Sequence, residues 1–262
     1  MPLLVEQGEI EEDKMRPQVL TTPQGRKIAY HLTPGAAPGV VFLGGFRSDM
    51  TGTKALHLQD WADRAGRGFL RFDYSGHGGS GGAFEDGAIG DWFEDALAAL
   101  ALTQGMQVLV GSSMGGWIAL LLARAVAEKV AGLVGVAAAP DFTEDGMWAG
   151  FSADERAEVL GKGRIAVPSA YSEPYGITRR LIEDGRQHLV LRAPLDLPFP
   201  VRLLQGTADA DVPQAVALRL LAHGLGADIR LTLVKGADHR FSTPDCLALV
   251  VAAVEDVLRC AG

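Results

Sequence analysis

Apolar and polar positions along this chain fall into two alternating periods. Short apolar or every-second-residue runs are followed by longer stretches in which apolar residues recur every three or four. Gln18–Thr22 and Arg26–His31 flank the Pro23–Gly25 turn and predict an opening antiparallel hairpin. Val40–Leu43 reads as a short buried strand, Ala55–Ala65 as a helix and Phe69–Asp73 as the next strand. Gly-rich sequence leads to a helix over Ile89–Leu102, a strand over Gln107–Gly111, a helix over Met114–Ala127 and a strand over Leu133–Ala137. Strands that alternate with helices favour a mostly parallel α/β sheet covered on both faces.

The rhythm breaks between Pro140 and Pro200. Five prolines (Pro168, Pro174, Pro194, Pro198, Pro200) fall here among short helical pieces, Ala153–Leu160 and Tyr175–Asp184, with no clear strand. A plain loop of that length is rare in a compact domain. The expected organisation is therefore a core of residues 1–140 and 199–262 with a cap inserted at 141–198. Alternation then resumes with strand Val201–Gln205, helix Gln214–His223 and strand Asp228–Val234, in which Ile229, Leu231 and Leu233 alternate with polar residues. A final helix has Thr243 at its N-cap and Pro244 at its first position, with Leu247, Val250, Val251, Val254 and Leu258 on one face.

Composition narrows the picture. The chain has 262 residues, 48% of them apolar and 21% charged, enough for a large buried core. A net charge of −8 and the absence of a long Lys/Arg block argue against a nucleic-acid partner. Its two cysteines, Cys246 and Cys260, fall about 14 residues apart on the last predicted helix, roughly 21 Å at the helical rise, and cannot bond to each other. The first sixteen residues carry five acids and no sustained apolar run, which fits neither a secretory signal nor an organelle transit peptide. Runs such as Trp117–Ala123 and Leu247–Val254 are too short to span a bilayer. A cytoplasmic protein without integral membrane contact is expected.

The candidate chemistry centres on Gly111-Ser112-Ser113-Met114-Gly115, a G-x-S-x-G pattern between a buried strand and an apolar helix. Side chains two residues to either side of the central serine would collide across so tight a turn, hence the glycines. The turn also sets Ser113 at a helix N-terminus, whose partial positive charge favours an anionic intermediate. A serine hydroxyl needs a base. Of six histidines, His239 follows the last predicted strand and precedes the final helix, where the chain order Ser…Asp…His puts it. For the acid, Asp209 stands nearest the end of the preceding strand, and Asp211, beside the helix that starts after Pro213, is the alternative. An oxyanion hole would take one N–H from Met114 and another from the loop Leu43-Gly44-Gly45-Phe46, from Phe46 or else Gly45. Gly76-His77-Gly78-Gly79-Ser80-Gly81 matches G-x-G-x-x-G but runs into a loop rather than a helix, so no dinucleotide cofactor is expected. Metal-ligand spacings are absent too.

With these residues in view, the chain resembles the acyl-protein (palmitoyl) thioesterase and acyl-glucuronide esterase family of the α/β-hydrolase fold. The resemblance rests on Ser48–Ala55 (SDMTGTKA), Arg71–Ser80 (RFDYSGHGGS), Val110–Trp117 (VGSSMGGW), Pro168–Glu173 (PSAYSE), Arg202–Gly206 with Asp209 and Val212-Pro213, and Asp238-His239-Arg240. It covers most of the chain from about Gly39 onward, with a poor match over Asp141–Lys162, and the acidic first residues are not expected to act as the mitochondrial targeting segment of such a relative. The resemblance implies a mostly parallel eight-stranded sheet flanked by helices, with Ser113 as nucleophile, Asp209 as acid and His239 as base. It also implies a small-molecule ester or thioester substrate, or an acylated protein.

Within the expected cap, Met147, Trp148, Phe151, Tyr171 and Tyr175 give an apolar, aromatic character suited to an acyl chain or aryl group, although the same residues could merely pack the cap onto the sheet. Arg179-Arg180 could attract a carboxylate. The rival from another class is a catalytically silent binding or regulatory protein built on the same scaffold.

Overall fold

A computed structural model describes residues 17–167 and 174–261. The acidic first sixteen residues and the Pro168–Glu173 stretch, including Tyr171, lie outside the described residues. The chain opens with the hairpin β1 (Gln18–Thr21) and β2 (Lys27–Thr33), followed by β3 (Ala36–Leu43), α1 (Thr53–Ala65), β4 (Arg67–Phe72), α2 (Ile89–Leu100), β5 (Gln107–Ser112), α3 (Met114–Ala125) and β6 (Val130–Val136). After the intervening segment come β10 (Val201–Gly206), α6 (Gln214–His223), the two-residue β11 (Gly224–Leu225), β12 (Ile229–Val234) and α7 (Pro244–Ala261). One eight-stranded sheet runs β1-β2-β4-β3-β5-β6-β10-β12. Its first two pairings are antiparallel and the rest parallel.

Period-two patterning in the central strands builds two cores. Val41, Leu43 and Leu109 face the layer of α2 and α3, whereas Val40, Phe42, Val108 and Val110 face α1 and α7. The buried residues of α7 are Cys246, Leu247, Val250, Ala253, Val254 and Val257, so Val251 and Leu258 sit at the rim. Thr243 accepts the Cys246 N–H at 3.3 Å, which caps that helix. In β12 the expected alternation is only half realised: Leu233 is 43% exposed because this strand forms the sheet edge.

Among the described residues of 141–198, the expected helix at Ala153–Leu160 is present, whereas short strands and a π-helical turn were not expected. A π-helical turn (Thr143–Trp148) and α4 (Ala153–Lys162) precede β7 (Arg164–Val167), which pairs antiparallel with β8 (Tyr175–Thr178); α5 (Arg179–Gly185) follows, and then β9 (Leu195–Asp196). Tyr175–Thr178 is thus a strand, not the start of a helix. The helix begins only at Arg179, where the Thr178 hydroxyl accepts the Leu181 N–H at 3.1 Å.

Candidate active site

The turn from β5 to α3 holds Ser113 at φ 54° and ψ −119°. A non-glycine residue with positive φ is held there by its surroundings. Here the Ser113 N–H donates to the Val136 carbonyl at 2.9 Å, and its own carbonyl accepts from Gly116 and Ala139. The flanking glycines are required sterically. A Cβ on Gly111 would overlap the Gly115 carbonyl, and one on Gly115 would overlap the Leu43 carbonyl at the end of β3.

Two loops bring Asp209 and His239 to this turn. Gly206 ends β10 so close to Ala237 that a Cβ would overlap its carbonyl, and Ala208 N–H bonds that same carbonyl at 3.0 Å. The loops after β10 and β12 are thereby stacked. His239 Nε2 lies 3.1 Å from Ser113 Oγ, and Nδ1 lies 2.9 Å from Asp209 Oδ2. Asp209 has no exposed side-chain surface. Its Oδ1 accepts the Asp211 and Val212 N–H groups at 2.9 and 2.8 Å, and Oδ2 also accepts Gln205 Nε2 at 2.9 Å. Burial pushes the Asp209 carboxyl up, but the bonds from His239 and from the Val212 N–H outweigh it and hold the pKa below the ordinary value. The acceptor-only carboxylate assigns the imidazole proton to Nδ1, which leaves Nε2 free to accept the Ser113 proton. Asp211 donates its backbone N–H to Asp209, and its own side chain is exposed.

The other residues expected at the site fall into two groups. Gly45 lies against the elbow, where its Cβ would touch the Ser113 Cβ at 3.4 Å, so the peptide carrying the Phe46 N–H sits beside Ser113. Met114, fully buried, opens α3. The Phe46 ring packs edge-on against Phe84, Trp92, Phe142 and Tyr175, with centroids 4.9–5.9 Å apart. Tyr175 is therefore joined to the Phe46 loop. Trp148 and Phe151 instead pair with each other at 6.3 Å, and Trp148 lies under Arg156 and Arg186. Arg179 pairs with Glu183 at 2.6 Å and Arg180 with Asp91 at 2.6 Å, so neither is an open carboxylate receptor.

Sequence reasoning passed over Gln205, Asp73 and His77, all buried. In the Gly76–Gly81 loop, amide groups that could have bound phosphate are used internally: Gly79 N–H bonds Asp73 Oδ2 at 2.7 Å and Gly81 N–H bonds the Lys27 carbonyl at 2.9 Å. Ligand atoms of Asp209, Asp211 and His239 lie within 4.8 Å of one another, close enough for a metal. Yet both Asp209 oxygens already take two hydrogen bonds each, which fits a hydrogen-bonded relay better than an ion. A separate cleft of about 360 Å³ lies between Gly25–Lys27 and the Gly-rich loop, and its Arg26 is committed to Asp95 at 2.6 Å.

This strand order, with a serine at positive φ between β5 and α3, is the architecture of an α/β-hydrolase. The model of the alpha/beta hydrolase family matches residues 40–253, and the chain belongs to that family. Bovine palmitoyl-protein thioesterase ABHD10, mitochondrial, is 36% identical over 245 residues, covering 91% of this chain and 79% of the relative. Among solved structures, a putative hydrolase from Agrobacterium vitis superposes with TM-score 0.89 at 45% identity, over 92% of this chain and 98% of the other. Mouse alpha/beta hydrolase domain-containing protein 10 superposes with TM-score 0.86 at 32% identity, over 93% and 98%. No helix among the described residues is long and apolar enough to cross a membrane.

Proposed function

We propose that this chain is a serine hydrolase that cleaves carboxylic esters or thioesters through an acyl-enzyme on Ser113. The observation that carries the reading is the unbroken relay from Ser113 Oγ through His239 to Asp209, at 3.1 and 2.9 Å. His239 Nε2 takes the hydroxyl proton as Ser113 Oγ attacks the acyl carbon, and Asp209 stabilises the imidazolium. The N–H groups of Met114 and Phe46 receive the oxyanion. The alcohol or thiol then leaves with the proton from His239. Water, deprotonated by the same ring, attacks the acyl carbon, and the carboxylic acid is released as Ser113 Oγ recovers its proton.

Thioester cleavage is favoured among the possible reactions by the relatives named palmitoyl-protein thioesterase. The substrate is a small-molecule acyl ester or thioester, or an acylated protein. Residues 141–198 serve as a cap, whose Phe142 and Tyr175 rings meet Phe46 above the elbow. The test is hydrolysis of p-nitrophenyl esters from acetate to palmitate beside an acyl thioester. Ser113→Ala should lower turnover by about 10⁴-fold or more. A variant that keeps a substantial part of the activity rules out Ser113 as nucleophile. Fluorophosphonate labelling at Ser113 separates an enzyme from a silent scaffold, which stays unlabelled.

A further inference from the structure

The loop that carries Phe46 has a support of its own. Arg47, the next residue, has φ 57°, a left-handed conformation that a non-glycine residue keeps only when something holds it. Its N–H donates to Nε2 of His77 at 3.2 Å. The other ring nitrogen, Nδ1, lies 3.1 Å from the Ser75 carbonyl oxygen, which can only accept. One tautomer satisfies both contacts: the proton on Nδ1 and the lone pair on Nε2. His77 is only 4% exposed, and the rings of Tyr74, Phe84 and Trp92 stand edge-on to it at 5.7, 5.3 and 5.1 Å. Burial pushes its pKa down more than the Ser75 carbonyl and Asp95 raise it, with Arg47 adding to the lowering. The ring therefore stays neutral, as an acceptor must. A second tether secures the far end of the loop, where Asp73 Oδ1 accepts the Met50 N–H at 2.6 Å.

We propose that His77 is a positioning residue for the oxyanion loop: its neutral imidazole accepts the Arg47 N–H and so keeps the adjoining Phe46 peptide aimed at Ser113. The inference rests on the serine-hydrolase reading above. An oxyanion donor contributes only when its N–H points where charge develops, so a small rotation of this loop is felt in the transition state far more than in substrate binding. Without the acceptor, the Arg47 main chain loses a bond that helps hold its positive φ, although its guanidinium still lies over the Phe84 and Tyr175 rings at 5.7 and 4.5 Å.

The test compares His77→Phe, which keeps a ring in the cluster and removes the acceptor, with His77→Gln, which can restore an acceptor near the Nε2 position. Removing one oxyanion donor outright costs about 10²–10³ in kcat, so misaiming one should cost about tenfold or more. His77→Phe should lower kcat for p-nitrophenyl butyrate with KM little changed. It should weaken an alkyl trifluoromethyl ketone, whose hemiketal oxyanion occupies the hole, by the same factor. His77→Gln should recover most of both. A kcat loss with unchanged ketone affinity, an effect confined to KM, or wild-type behaviour of both variants overturns the proposal. Should His77→Phe fail to fold, 15N NMR of the wild-type imidazole decides: a proton on Nδ1 and a bare Nε2 support the role, and a protonated Nε2 overturns it. Ser113→Ala run in parallel keeps the two readings apart. An active Ser113→Ala sinks the serine mechanism itself, whereas an inactive one beside unaffected His77 variants sinks only the positioning role.

Discussion

A buried carboxylate ringed by four N–H donors is costly to protonate, and Asp209 is in that position. Asp209→Asn would turn a donor toward the His239 N–H and favour the wrong tautomer, so kcat should fall by about 10⁴-fold while Asp211→Asn stays near wild type. Steady-state ester kinetics on the two variants check this. Folding follows the same shift. Because the folded-state pKa of Asp209 lies below its unfolded value, the stabilisation is present above the unfolded carboxylate pKa of about 4 and is lost as pH falls through the folded value. The difference in urea-unfolding free energy between wild type and Asp209→Asn should therefore shrink with acidification below about pH 4. Ser113, His239 and Asp209 were legible in the sequence because each follows a strand end and carries its own local pattern. His77 and Gln205 were not. The partner of His77 is a main-chain N–H thirty residues away, and Gln205 matters through one amide aimed at Asp209, neither of which leaves a pattern in the residue string.

At the level of single elements, the same substitution should have opposite signs in two helices. Gly161 lies in α4, where a methyl group would meet no atom within 4 Å, so Gly161→Ala should stabilise by up to about 1 kcal/mol through propensity. Gly115 lies in the first turn of α3, where a methyl would overlap the main-chain carbonyls of Gly44 and of Leu43, the latter held in place by β-sheet pairing. Overpacking of about 1–3 kcal/mol outweighs the propensity gain there. Gly115→Ala should lower the Tm and, by pushing the Met114 N–H off line, lower kcat as well; thermal melts with ester assays on both variants check the pair. Legibility at this scale follows length and environment. The central strands are fully buried and strongly apolar, so Gln107–Gly111 and Leu133–Ala137 stood out, matching Gln107–Ser112 closely and overlapping Val130–Val136 from its fourth residue. Arg164–Val167 and Tyr175–Thr178 did not, since four residues are too few to show a period and each strand exists only because the other pairs with it.

Across the whole molecule, Ser113 comes from the middle of the chain and His239 from near its end, so long-range ties set their relative position. One of them joins the first helix to the last loop: Lys54 Nζ donates to the carbonyl oxygen of Arg240, the residue after His239. Burial lowers the Lys54 pKa to about 8; Asp238 and Cys246 oppose that lowering and Arg240 adds to it. The unfolded chain, with the ordinary lysine value of 10.5, binds this proton more tightly than the folded protein. Stability owed to this group must therefore rise with pH across the window from about 8 to 10.5, the reverse of an ordinary ion-paired lysine. Lys54→Met removes the titration together with the tie to Arg240. Urea unfolding from pH 7 to 10.5 should show wild type gaining on Lys54→Met as pH rises through this window. Lys54→Met should also lower kcat at every pH, because the His239 loop loses its anchor on α1. A stability difference that stays flat with pH would mean that Lys54 keeps an ordinary pKa, and unchanged kcat would mean that the other stacked contacts of the loop hold His239 in place without it.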